Sequence, residues 1–310
     1  MKAEDLSSAL KRCTQGVRPK EIPYVLLSGN IVTATDRDKT YSEQLDDLPT
    51  ACASLPDLKR FSECVTGELT LKAEKNVLRV ESGKDYSEIK TVPTETFPNF
   101  GEITGQEIII PDFPNLLRYC IPAIETNETR HELVGIHLEL SDKLRLTATN
   151  GYQVHRVSID APLGELPPVI LPEETCKSVV SVMEGDCLVR SNESLVAISS
   201  GERTLTSRLI DGVFPPVEKY VKADYGDAIR VDRRAFLREV ERLAPICGKG
   251  DFKHGKCIHL RTKQNALTLV ASDFRSMVAA TIKAECKPGT DLAFHLNYLE
   301  IGRASCRERV

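Results

Sequence analysis

Apolar positions along this chain follow two rhythms, one helical and one strand-like, and the two alternate in an order that returns three times. Short runs rich in β-branched residues close on Asp or Asn: Ile31 to Asp36, Leu146 to Asn150, and Leu269 to Asp273. Asp and Asn bond their own backbone and favour turns, so each run predicts a strand ending in a turn. Ahead of each lies a stretch with helical spacing: Leu6 to Val17, Pro114 to Ile124, and Val231 to Ile246. Behind the first two comes a second matched landmark, Leu55-Pro56 and Leu171-Pro172, each followed by a predicted helix. Ser82-Gly83 and Ser200-Gly201 then separate strand-like runs that end in Phe97-Pro98 and Phe214-Pro215. The copies lie about 115 and 123 residues apart, too far for a solenoid, which predicts similar domains in series. The expected fold class is α+β, with domains over 1–102, 103–222 and 223–300.

The third helix is strongly two-faced. Arg234, Arg238 and Arg242 recur at i, i+4 and i+8 on one side, with Phe236, Val240 and Leu243 on the other. Asp232 is its expected N-cap. The other predicted helices carry smaller basic groups: Lys11 and Arg12, Lys59 and Arg60, Arg118, and Lys177. The net charge is only −4, which excludes a protein coated by nucleic acid over its whole surface but permits one basic face. Hydrophobic content of 41% with 28% charged residues describes a globular chain with sizeable cores. No apolar run approaches the roughly 20 residues of a membrane span, and Met1 to Asp5 has no signal-peptide core; a cytoplasmic protein without membrane contact is expected. The ten cysteines form no Cys-x-x-Cys pair, and Cys13, Cys64, Cys120 and Cys176 fall in helical patterns, where a thiol packs as a small hydrophobe.

No residue set carries catalysis. The six histidines lack metal-ligand spacing, and there is no Gly-x-Ser-x-Gly elbow. Gly248 to Lys256 has the glycines and lysines of a phosphate cradle but neither the order nor the strand-to-helix setting of one. A nucleotide-binding role for that loop is the weakest of the readings. Neither a cofactor nor a metal is expected, and the chain reads as a non-enzymatic binding protein.

The last ten residues, Ile301 to Val310, look like a translated sequencing adapter. The native coding sequence is therefore expected to break off near Glu300, inside the third domain, and residues 301–310 are left out of the functional reading.

Three segments carry a family resemblance. Leu146 to Val154 resembles an Ala-Thr-Asp-Gly-His-Arg-Leu run, and Thr206 to Pro215 resembles a Ser-Lys-Leu-Val-Asp-Gly-Arg-Phe-Pro run. Thr91 to Phe100 is the third. All three resemble segments of the beta sliding clamp of bacterial replicative DNA polymerase. The resemblance implies three domains, each of two helices packed on curved antiparallel sheets, forming half of a head-to-tail ring. It implies a homodimeric processivity factor that encircles duplex DNA without reading sequence and tethers the polymerase, the clamp loader and other partners through short peptide motifs. Carried over by position, the peptide pocket would comprise Leu133, Thr149, Gly151, Tyr152, Gln153, Val154, Pro215, Lys219 and Tyr220. Asn150, Tyr152 and Gln153 depart from the family's usual Asp, His and Arg. Subunit closure would use Tyr86 and Ile89 against Ile246 and Cys247, and Arg18 would join the basic helices in facing DNA. The alternative is a clamp-derived protein that binds peptides without encircling DNA.

Overall fold

The computed structural model describes residues 1–18, 22–98, 100–101, 103–221, 228–247, 256–272, 276–296 and 299. Asp273, His254, residues 248–255 of the basic loop and the final ten residues lie outside that set.

The first repeat begins with α1 (Ala3–Val17), β1 (Tyr24–Ser28), β2 (Ile31–Thr35), β3 (Lys39–Gln44) and β4 (Ala51–Ser54). It continues through α2 (Leu55–Cys64), β5 (Thr70–Glu74), β6 (Val77–Ser82) and β7 (Asp85–Val92). The second opens with β8 (Glu107–Ile110), α3 (Phe113–Cys120), β9 (Gly135–Leu140), β10 (Lys143–Thr149) and β11 (Val154–Asp160). Then come β12 (Val169–Pro172), α4 (Glu173–Val182), β13 (Cys187–Ser191), β14 (Leu195–Ser200) and β15 (Arg203–Arg208). The third holds α5 (Glu218–Val221), β16 (Arg230–Val231), α6 (Arg233–Leu243) and β17 (Cys257–Lys263). It ends with β18 (Ala266–Ser272), β19 (Met277–Glu285) and β20 (Asp291–His295).

The turn chemistry expected at the repeat punctuation is present. The Asp36 carboxylate accepts the backbone N–H of Asp38 and Lys39 at 3.1 and 2.8 Å, closing the β2–β3 connection. Asn150 does the same for Tyr152 and Gln153, both at 3.1 Å. A short polar side chain thus satisfies two amides that the strand ladder cannot reach.

The chain divides into two compact units, Met1–Pro215 and Pro216–Val310. In the first, an eleven-stranded antiparallel sheet runs in the order β5-β6-β7-β4-β1-β2-β3-β15-β14-β13-β8. It crosses the boundary between the first two repeats where β3 pairs with β15, from Glu43 opposite Arg203 to Lys39 opposite Ser207. A second sheet has the order β11-β10-β9-β12. The helices pack side by side as α2-α1-α4-α3. One hydrophobic core runs through both repeats, from Leu6, Leu10 and Leu58 to Leu117, Ile136 and Val179. The first two predicted domains therefore share a sheet and a core. In the second unit α6 packs on a five-stranded sheet, β16-β19-β18-β17-β20, around Val240, Leu243, Ile258 and Leu269.

Several expectations need correction. Val231 belongs to β16, and the following helix starts at Arg233 behind its Asp232 cap, whose carboxylate accepts the Ala235 amide at 2.8 Å. The helix expected to reach Ile124 leaves α geometry after Cys120 and becomes a 3₁₀ turn containing Pro122, which has no N–H to continue the ladder. Leu55 and Pro56 are the first residues of α2, whereas Leu171 and Pro172 lie in β12 before α4. Strand register equates Leu171 with Ala53: Ala53 pairs with Val25 and Leu171 with Ile136, equivalent positions of β1 and β9. The paired Leu-Pro landmarks are thus two residues out of step. Cys13, Cys120 and Cys176 are buried as expected, with burial pushing the Cys120 thiol up to about 12; Cys64 is exposed.

Candidate functional site

Three groups of surface features bear on function: the basic helices, the turn after β10, and two open strand edges.

On the helices, Lys11, Arg18, Arg60, Arg118, Arg234, Arg238 and Arg242 are exposed, while Lys59 and Lys177 are half-buried. Most are already engaged. Arg18 reaches Glu174 at 3.2 Å, tying α1 to α4, and Lys177 holds Glu173 and Glu174 at 3.0 and 3.1 Å. Burial pulls the Glu174 carboxyl up, but the Lys177 hydrogen bond and the charges of Lys177, Arg18 and Lys39 outweigh it and hold the group below the usual carboxylate range. Arg118 donates to Asn115 at 2.6 Å, and Arg60 lies 3.9 Å from Asp57. Arg238 and Arg242 share Glu239 at 3.3 and 2.7 Å. Lys11 and Arg234 have no ion-pair partner among the described residues.

Arg12 has another task. Its guanidinium donates to both Glu43 oxygens at 2.9 and 2.6 Å, Tyr41 donates to the same carboxylate at 2.8 Å, and Arg203 approaches it at 3.8 Å. The fork binding of Glu43 raises the Arg12 pKa above its ordinary value. Arg12 is a structural residue of the join between repeats, and its helical spacing alone could not distinguish this from a surface charge.

The expected pocket residues of the first unit gather around one turn. The Thr149 hydroxyl donates to the Gln153 carbonyl at 2.7 Å and accepts the Gly151 amide at 3.1 Å. The Gln153 amide side chain donates to the Pro122 carbonyl at 3.0 Å, locking the turn to the 3₁₀ segment after α3. Gly151 sits at φ +84°, and a Cβ there would lie 3.0 Å from an Arg130 nitrogen, so the turn abuts the segment that ends at Leu133. Leu133 is buried, and Val154 and Pro215 are half-buried. On the other side Gly212 lies against the Glu132 Cβ, and the Phe214 ring stacks on His137 with centroids 4.8 Å apart. Tyr152 and Val213 stand out into solvent at 82% and 88% exposure. Val213 and Arg130 were missed in the sequence; the run Asp211 to Pro215 was the available signal for Val213. Lys219 and Tyr220 belong to α5 of the second unit, exposed, with the ammonium 4.7 Å above the phenol ring.

The closure residues divide. Tyr86 is exposed, its ring under the Arg79 guanidinium at 4.3 Å, and Ile246 is half-buried. Ile89 and Cys247 are each buried in the core of their own unit and present no side chain to a partner. The strand edges carry more information. β7 pairs with β6 over residues 85–90 and meets β4 only at Thr91 and Val92, so, among the described residues, 85–90 have one open side. β19 pairs with β18 but meets β16 only at Ala284 and Glu285, leaving residues 277–283 open likewise among the described residues. Beside β7 an open groove of about 800 Å³ runs along α2, lined by Asp57, Arg60, Phe61 and Cys64.

No group of His, Cys, Asp or Glu among the described residues could hold a metal, and no helix there is long and apolar enough to cross a membrane.

Residues 111–216, which contain Leu133, the Thr149–Val154 turn and Pro215, match the family model for the central domain of the DNA polymerase III beta subunit. A beta sliding clamp of Caulobacter vibrioides is 26% identical over 240 residues, covering 72% of this chain and 63% of the relative. One from Synechocystis is 22% identical over 348 residues, covering 96% and 88%. This chain is similar to the beta sliding clamps. Solved clamps share its fold: the Bartonella birtlesii clamp, bound to griselimycin, superposes with a TM-score of 0.85 at 22% identity, covering 98% of this chain and 88% of that one. The Helicobacter pylori clamp, in complex with 3,4-difluorobenzamide, reaches 0.86 at 15% identity, covering 98% and 89%. The α+β repeats joined edge to edge are therefore the clamp architecture, at an identity that leaves side-chain roles to be argued from this chain.

Proposed function

We propose that this protein is a DNA sliding clamp, a non-enzymatic processivity factor whose copies join head to tail around duplex DNA. The carrying observation is the β3–β15 join. There the third strand of one repeat accepts the last strand of the next, and the sheet runs on without a break. β7 is the counterpart of β15, since Ser82 opposite Asp85 matches Ser200 opposite Arg203. β19 is the counterpart of β3, since Ala34 opposite Tyr41 matches Ala271 opposite Val278. Both counterparts are open, one in each unit. Repeating the join between copies sets Asp85 opposite Ala280, Tyr86 opposite Ala279, Ser87 opposite Val278 and Glu88 opposite Met277.

Face parity supports that register. Tyr86 and Glu88 are exposed, like Ala279 and Met277, while Ser87 is half-buried like Val278. Tyr86 and Met277, at 58% and 71% exposure, become diagonal neighbours within reach of each other. Pairing would also remove two open edges that otherwise invite aggregation.

Within the ring, Lys11, Arg18, Arg60, Arg118 and Arg234 supply a sparse basic face. Phosphate contacts of this kind hold the duplex without reading bases, and they weaken with salt. Each contact can be weak, because retention is topological. The turn of Thr149 to Val154, with Leu133 and Pro215, would take a short peptide from the polymerase, the clamp loader or another partner.

The test is retention on nicked circular DNA, loaded by a clamp loader and followed by gel filtration in rising salt. A clamp stays on the circle and leaves when the circle is cut once. Equal loss from circular and linear DNA would sink the ring and leave a peptide-binding protein that does not encircle DNA.

A further inference from the structure

The ring-closure reading leads to a residue-level consequence at the pair Asp85 and Ala280, and this inference rests on that reading. At the join inside the first unit, the corresponding pair is Arg203 and Glu43. The Glu43 carboxylate, almost fully buried, takes Arg12 from α1 on one side and Arg203 from the neighbouring repeat on the other.

The third repeat keeps the arginine and loses the acid. Asp232 caps α6 as Lys2 begins α1, so Arg12 corresponds to Arg242. Burial agrees with this alignment: Leu10, Cys13 and Val17 match Val240, Leu243 and Cys247, all buried. Glu43 corresponds to Ala280, whose methyl group offers Arg242 nothing to bind. The missing carboxylate reappears on the other strand. Where β15 has Arg203, β7 has Asp85, exposed and on the same strand face as the half-buried Ser87 and buried Ile89.

We propose that Asp85 of one copy and Arg242 of a second copy form the ion pair that selects β19 as the partner edge of β7. The acid has moved across the boundary, so that a bond made within one repeat at the inner join is made between copies at closure. Arg242 is 56% exposed in the isolated chain and rests on Glu239, which also holds Arg238. One of two arginines sharing a single carboxylate can turn to a second acid without leaving Glu239 bare.

The experiment is sedimentation equilibrium of the full chain and its Asp85→Arg, Arg242→Asp and doubly reversed variants, at low and high salt. Both positions are exposed, and circular dichroism of each variant verifies folding; Asp85→Asn serves as a milder second probe. Each single reversal is expected to weaken self-association by about tenfold at low salt, with less effect at high salt. The double reversal is expected to recover most of that loss. Self-association of the parent chain with no response to the single variants, or no recovery in the double, overturns the ion pair and leaves ring closure standing. A parent chain that stays monomeric throughout overturns both.

Discussion

Glu43 gathers the polar contacts of the first unit: Arg12 from α1, Tyr41 from its own strand, and Arg203 from the next repeat meet on one carboxylate. Removing it leaves two guanidinium groups facing each other in a largely buried site. Glu43→Ala is therefore expected to cost about 3 kcal/mol, the order found when one member of a buried ion pair is deleted. Urea denaturation of the full chain checks this, and a loss below about 0.5 kcal/mol would mean the site behaves as a surface pair. Little of this was legible in the sequence. Arg12 beside Lys11 reads as a helical surface charge, because the acid that claims it lies on a different element, 31 residues away. The burial of Ile89 and Cys247 was not legible either, since an apolar residue near an interface and one in a core look the same in sequence.

At the scale of elements, capping and turn chemistry were the most readable features. Asp232 before an amphipathic run predicted a helix start, and the carboxylate meets the Ala235 amide as a cap should. Asp232→Ala is expected to cost about 1 kcal/mol, with Asp232→Asn nearly neutral. Hydrogen exchange in α6 measures it, and faster exchange confined to the first turn of that helix is the expected signature. The Asp36 and Asn150 turns were equally legible, because each uses bonds spanning two or three residues. Register was less so. The Leu-Pro landmarks ahead of α2 and α4 matched as text but lie two positions apart in the strand ladder, because proline serves both at the second position of α2 and as the N-cap of α4. The turn at Asn150 and Gly151 was legible in the sequence; the approach of Arg130 to Gly151 and of Glu132 to Gly212 needed the packing of the chain.

For the whole molecule, the repeat was visible from sequence, whereas the fusion of two repeats into one unit was not. The β3–β15 pairing joins residues about 160 positions apart, and no local pattern records such a partner. Under the proposed function that same pairing would supply the rule for assembly, since its two strand types recur as the open sides of β7 and β19 among the described residues. Ring closure thus comes down to one strand register between two copies of the chain. A Ser87→Cys, Val278→Cys variant tests it most directly, through mild oxidation followed by intact-mass measurement, a non-reducing gel and peptide mapping, with the parent chain carrying its own cysteines as the control. Covalent dimers linked by a disulfide between the two introduced thiols are expected in the variant, and none with that linkage from the parent chain under the same conditions. Variant chains that remain monomeric, or cross-link no faster than a Ser87→Cys, Lys283→Cys pair placed out of register, would contradict it.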